Sequence, residues 1–112
     1  MNNKFSELVQ SFLTSYLRNE CNFSTNTIAS YSQTIYLFVI FMAEEKSIKA
    51  NKIEIELITR ETIIQFLNWL ETKRNNSIST RNQRLSCIKS FFKYVQLNEI
   101  IMFDNCSKIL SI

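Results

Sequence analysis

Apolar residues along this chain recur at helical spacing. Phe5, Leu8, Val9, Phe12, Leu13, Tyr16 and Leu17 share one face of a helix predicted over residues 4–19. The polar stretch from Cys21 to Asn26 breaks that pattern. Ser24 or Thr25 then caps a second helix, residues 25–46, lined by Ile28, Tyr31, Ile35, Phe38 and Met42. Tyr36 and Ile40 lie opposite that stripe, as expected of a helix covered on two sides by its neighbours. Residues 47–58 alternate weakly, in Lys52 to Leu57, but have no second strand to pair with, so they read as an ordered connection. Thr59 caps a third helix over residues 60–75, with Glu61 near its positive end and Ile63, Phe66, Leu67 and Leu70 buried. Asn75, Asn76 and Ser77 end it through an asparagine in the left-handed region. Trp69 falls away from the Ile63, Leu67 and Leu70 direction and reads as a surface anchor.

A fourth helix, residues 79–98, starts at Ser79 or Thr80 and buries Leu85, Ile88, Phe92 and Val95, with Phe91 at the edge. The segment Ile100 to Phe103 is too apolar to stand free in water, and residues 104–110 add a short helix. The pattern is all-α, with four main helices and a short C-terminal one, in a single domain over residues 1–112.

Composition narrows the chemistry. There is no glycine and no proline, so tight two-residue hairpins, P-loops and dinucleotide fingerprints are excluded, and positive backbone angles fall to asparagine. There is also no histidine, which removes the commonest general base and most transition-metal sites. Cys21, Cys87 and Cys106 are widely spaced and form no Cys-x-x-Cys pair, so they read as ordinary thiols of a cytoplasmic chain. Glu44, Glu45, Glu54 and Glu56 read as solvated surface. Tyr16 and Tyr31 belong to core stripes, whereas Tyr36 and Tyr94 are expected to be partly exposed. The longest apolar run, Ile35 to Ala43, is far short of the roughly 20 residues that a membrane span needs, and the first residues lack the apolar core of a secretory signal. The expectation is a domain with no catalytic residues, cofactor or metal of its own, and with no membrane partner.

The net charge of +3 is mild, but its distribution is local. Between Thr72 and Asn98 lie Lys73, Arg74, Arg81, Arg84, Lys89 and Lys93, with no Asp or Glu. The start of the fourth helix offers free amides, hydroxyls and two arginines, a combination suited to phosphate oxygens. Asn82, Ser86, Lys89 and Lys93 continue on the polar side, widened by Gln83 and Ser90. Such a face can lie along duplex DNA without repelling it.

Two motifs carry a family resemblance. Ser24, Thr27 and Tyr31 open the second helix, and the fourth contains Thr80, Asn82, Arg84, Leu85, Ser86, Ile88, Lys89, Phe91, Phe92 and Tyr94 in fixed spacing. In this order the chain resembles the N-terminal core-binding domain of tyrosine recombinases, or phage integrases, over residues 6 to 105. The resemblance implies a SAM-like helical bundle that forms half of a clamp on double-stranded DNA at a recombination site. A separate catalytic domain of the recombinase forms the other half and carries the cleavage residues. By position it makes Ser24, Thr25, Thr27, Ser30, Thr80, Arg81, Asn82, Arg84 and Lys89 candidate DNA contacts, and leaves Tyr31, Leu85, Ile88, Phe91 and Phe92 with the core. It also implies protomer–protomer contacts on DNA, and that this chain is a fragment or partner of a recombinase. The family commonly has proline near Asn105, where this chain has Asp104, Asn105 and Cys106. The competing reading is a helical protein-interaction module that uses Trp69, Tyr36 and Ile40 as its contact patch.

Overall fold

Three helical segments of this glycine-free chain end on left-handed residues of other types. Asn22 (φ 55°), Ser47 (φ 56°) and Asn75 (φ 55°) each occupy that region. After each, the next amide reaches back six residues: Phe23 to the Leu17 carbonyl at 2.9 Å, Ile48 to Met42 at 3.0 Å, and Asn76 to Leu70 at 2.9 Å. This pattern satisfies carbonyls that the helix end leaves open, and glycine usually supplies its turning residue. Asparagine does so at two of the three sites, as expected. Ser47 is the exception, and the left-handed angle there carries the steric cost of a Cβ.

The computed structural model describes residues 3–112, among which every regular element is a helix or helical turn, and the chain forms two compact units, residues 1–55 and 56–112. In the first unit, α1 (Lys4–Ser11) runs directly into a π-helical segment, Phe12–Glu20, in place of one continuous α-helix. In such a segment each amide reaches one residue further back than in an α-helix. Asn3 caps α1 by accepting from the Ser6 amide at 2.8 Å, and its side-chain amide donates to the Ile53 carbonyl at 2.6 Å. α2 (Thr25–Lys46) packs aromatic rings against these segments, Phe5 on Phe38 at 6.4 Å and Phe12 on Tyr31 at 5.8 Å. Tyr16 and Tyr31 are only half-buried, since each lies at the margin of the stripe. Tyr36 is 60% exposed, so the expectation that neighbours cover both sides of α2 fails there.

The connection forms two short 3-10 turns, Ala50–Lys52 and Ile55–Leu57. In the second unit, α3 (Arg60–Lys73) starts at a Thr59–Thr62 capping box. α4 (Ile78–Asn98) starts at Ser77, two residues before the expected cap, and α5 spans Phe103–Leu110. Phe66, Leu67, Leu70, Phe91, Phe92, Val95, Cys106 and Ile109 fill the core of this unit. Buried Gln96 ties α4 to α5, donating to the Phe103 carbonyl at 3.1 Å and the Ser107 hydroxyl at 2.9 Å. Asn105 donates to the Ile58 carbonyl at 2.8 Å. Burial pushes the Cys106 thiol up to about 11, which keeps it protonated at neutral pH.

The fold departs from the sequence expectation at four places. Trp69 is 4% exposed rather than a surface anchor: Phe66 stacks on it at 6.1 Å and the Arg74 guanidinium lies over its ring at 5.4 Å. Tyr94 is buried, not partly exposed. Leu85 is half-buried at the edge of the α4 stripe. Ile100 and Ile101 are 89% and 88% exposed, because the 3-10 turn Ile100–Met102 turns only Met102 inward. Among the described residues, no helix is long and apolar enough to cross a membrane.

Candidate nucleic-acid interface

In the second unit the candidates sit on the start and open face of α4. Ser77 is the cap: the Thr80 amide donates to its hydroxyl at 3.1 Å, and that hydroxyl donates to Thr80 Oγ1 at 3.1 Å. Thr80 is therefore held within the cap before it meets any ligand. The remaining first-turn amides and the positive end of the helix macrodipole still favour an anion there.

Beyond the first turn the helix phase sorts the candidates. At 100° per residue, Asn82, Ser86, Lys89 and Lys93 fall within one narrow sector, opposite the buried Ile88, Phe91 and Val95. Asn82, Ser86 and Lys93 are exposed and Lys89 is half-buried. Lys93 reaches Gln96 Oε1 at 3.5 Å. Arg81 and Arg84 fall on the core side of the helix, in the direction of Ile88 and Val95, and both are half-buried. Arg81 Nε pairs with Glu71 Oε2 of α3 at 3.0 Å, and its Nη1 donates to Asn82 Oδ1 at 3.2 Å. The sequence span from Thr72 to Asn98 holds no acid, yet the fold brings one, Glu71, to Arg81 from just upstream.

The first unit repeats the cap. Ser24 accepts from the Thr27 amide at 3.2 Å, and the two hydroxyls lie 3.0 Å apart. Ser24, Thr25 and Thr27 are exposed. Ser30 is half-buried, and its carbonyl accepts from the Thr34 hydroxyl at 3.1 Å. Thr25 shares the open side of α2 with Ala29, Ser32 and Tyr36, whereas Thr27 and Ser30 lie toward its buried side. The candidates thus form two groups, each seated on a Ser-x-x-Thr cap.

Ser77, Ser86 and Lys93 stand beside the candidate contacts that the family resemblance implies, Ser77 as the cap and Ser86 and Lys93 on the open face with Asn82 and Lys89. The signal for Ser86 and Lys93 was present in the sequence, since they stand four and eleven residues after Asn82 on one helix face. Ser77 was hidden among three neighbouring hydroxyls, Ser77, Ser79 and Thr80.

Residues 9–98 match the family model described as phage integrase, N-terminal SAM-like domain. A Sinorhizobium fredii protein bearing the name integrase/recombinase y4rD is 34% identical over 105 residues, covering 94% of this chain and 37% of that protein. A second from the same organism, integrase/recombinase y4rC, is 32% identical over 87 residues, 78% of this chain and 26% of the relative. Tyrosine recombinase XerC of Herpetosiphon aurantiacus is 35% identical over 81 residues, 72% of this chain and 24% of the relative. This chain therefore spans only between a quarter and somewhat over a third of the length of these relatives. No solved structure matches it. The helical architecture, the two helix-opening motifs and the match over most of the chain agree: this protein belongs to the phage integrase N-terminal SAM-like domain family of the tyrosine recombinases.

Proposed function

We propose that this chain is the DNA-binding module of a site-specific tyrosine recombinase, holding duplex DNA at the recombination site while a separate catalytic domain cleaves and exchanges strands. The observation that carries this reading is the open face of α4, where Asn82, Ser86, Lys89 and Lys93 line up without an acidic residue. A helix face of this kind neutralises phosphates and displaces condensed counterions, which is the main source of affinity for duplex DNA. The hydroxyl-capped starts of α2 and α4 add directional donors, Ser24, Thr25, Thr27 and Ser30 from one unit and Thr80, Arg81, Asn82 and Arg84 from the other. The family match, residues 9–98, runs through both units. The test is a fluorescence-anisotropy titration against a labelled duplex at low ionic strength. Salt-dependent binding that weakens when Lys89→Ala is combined with Lys93→Ala is the expected result. Absence of binding, or binding indifferent to both substitutions, contradicts the proposal.

A second surface of the second unit favours protein contact. Leu97, Ile100, Ile101 and Phe103 are exposed apolar residues at the end of α4 and the start of α5. Exposed apolar groups in such a cluster mark protein contacts more often than DNA contacts. We assign this cluster to the catalytic domain of the recombinase, because the relatives are much longer than this chain and the matched domain is the family's N-terminal one. Contacts between protomers on DNA would use the same kind of surface. Ile100→Ser combined with Ile101→Ser is expected to leave duplex affinity unchanged and to weaken association with a separately produced catalytic domain, read by light scattering. Loss of duplex affinity with intact association would reverse the assignment.

A further inference from the structure

We propose that Glu71 is a positioning residue that holds the Arg81 guanidinium in the orientation needed to clasp a pair of phosphate oxygens on duplex DNA. This inference rests on the DNA-binding reading and adds a residue that neither the motifs nor the charge pattern single out. An acidic residue would ordinarily be placed far from a DNA-binding face, and Glu71 is also in the last three residues of α3, where the carbonyl end of a helix disfavours a carboxylate. Arg81, in the opening turns of α4, has the mirror problem of a cation near a positive helix end. Each charge is of the wrong sign for its own helix and the right sign for the other. The Nε to Oε2 distance of 3.0 Å brings them together across the α3–α4 turn.

The geometry does more than neutralise charge. A guanidinium is planar and carries five N–H donors. Glu71 takes the Nε side, and Asn82 Oδ1 accepts from Nη1 at 3.2 Å. Two contacts to one rigid plane fix its rotation, and both Nη2 hydrogens and the second Nη1 hydrogen remain. Those donors form the fork that meets two oxygens of a phosphate at once. An unsupported arginine would lose rotamer freedom on binding. One already held by Glu71 and Asn82 loses less. The pair is partly exposed, 25% for Arg81 and 37% for Glu71, so it stays open to a ligand.

The experiment compares the parent chain with Arg81→Ala, Glu71→Ala, Glu71→Gln and the Glu71→Ala/Arg81→Ala double variant. Binding is read by anisotropy against labelled mixed-sequence duplexes across a salt series, with thermal melts run in parallel. Arg81→Ala should weaken binding about tenfold on every sequence and reduce the salt slope by about one. Glu71→Ala should weaken it about fivefold even though it removes a negative charge. Glu71→Gln, which keeps an oxygen acceptor for Nε, should stay within about twofold of the parent, and the double variant should bind no worse than Arg81→Ala alone. A purely structural role for Glu71 would lower the melting temperature and leave affinity in place, which overturns the inference. Tighter binding by Glu71→Ala, or additive effects in the double variant, also overturns it while the DNA reading stands. A parent chain with no salt-dependent duplex binding removes both.

Discussion

Replacing Phe92 with alanine is expected to destabilise the second unit by about 3–5 kcal/mol, the usual cost of emptying a buried aromatic site. Phe92 is among the largest fully buried side chains and meets Phe91 edge-on at 5.2 Å between ring centroids. The cavity left behind faces helices that cannot collapse freely, because α4 is tied to α5 through Gln96. A domain of this size has a total stability of about 5–15 kcal/mol, so the variant loses a large fraction of it and its melting temperature falls by roughly 15–25 °C. Far-UV circular dichroism follows the helices. Trp69, the only tryptophan, reports the second unit by fluorescence. Leu97→Ala is the control on the same helix. It removes an exposed side chain and should shift stability by no more than about 0.5 kcal/mol. Equal effects from the two substitutions would mean that the α4 face is assigned the wrong way round.

The second large effect is electrostatic. With about four to six phosphates neutralised, the logarithm of duplex affinity should fall with the logarithm of salt at about −0.9 per contact. Raising salt from about 50 to 200 mM then costs about a hundredfold to a thousandfold in affinity. The contact number follows from the cations available: Arg81, Arg84, Lys89 and Lys93 on α4, with Lys73 and Arg74 just before it. Combining Arg81→Ala with Arg84→Ala should flatten the slope by nearly two contacts. A salt-insensitive affinity would point to an apolar contact, for which Ile100 and Ile101 would be the candidates.

Most of the helical frame was legible because the apolar spacing is regular and the caps are hydroxyl residues. α2 occupies its expected span, Thr59 caps α3 and Asn75 takes the left-handed position that ends it. What was not legible depends on three-dimensional neighbours. Trp69 reads as exposed from the sequence because Ile63, Leu67 and Leu70 define a narrow stripe that excludes it. The buried sector of α3 is wider and extends through Phe66 to Trp69, with Arg74 covering the indole. The pair Ile100 and Ile101 looked buried on hydrophobicity alone, but a three-residue turn can turn only one residue inward. Local amide geometry in the first helix shifts to the π form at Phe12, a change that apolar periodicity does not register. For the site, residue types and spacing marked the start of α4, whereas the Glu71–Arg81 pairing joins two helices and no window along the chain contains its geometry.

Amide chemical-shift mapping during titration with a short duplex tests the central claim most directly. The predicted result is salt-sensitive perturbation concentrated at the start of α2, Thr25 to Ser30, and along α4 from Ser79 to Lys93, with Ile100 to Leu110 unmoved. Perturbation centred on Ile100, Ile101 and Phe103, or none at any duplex concentration, would contradict it.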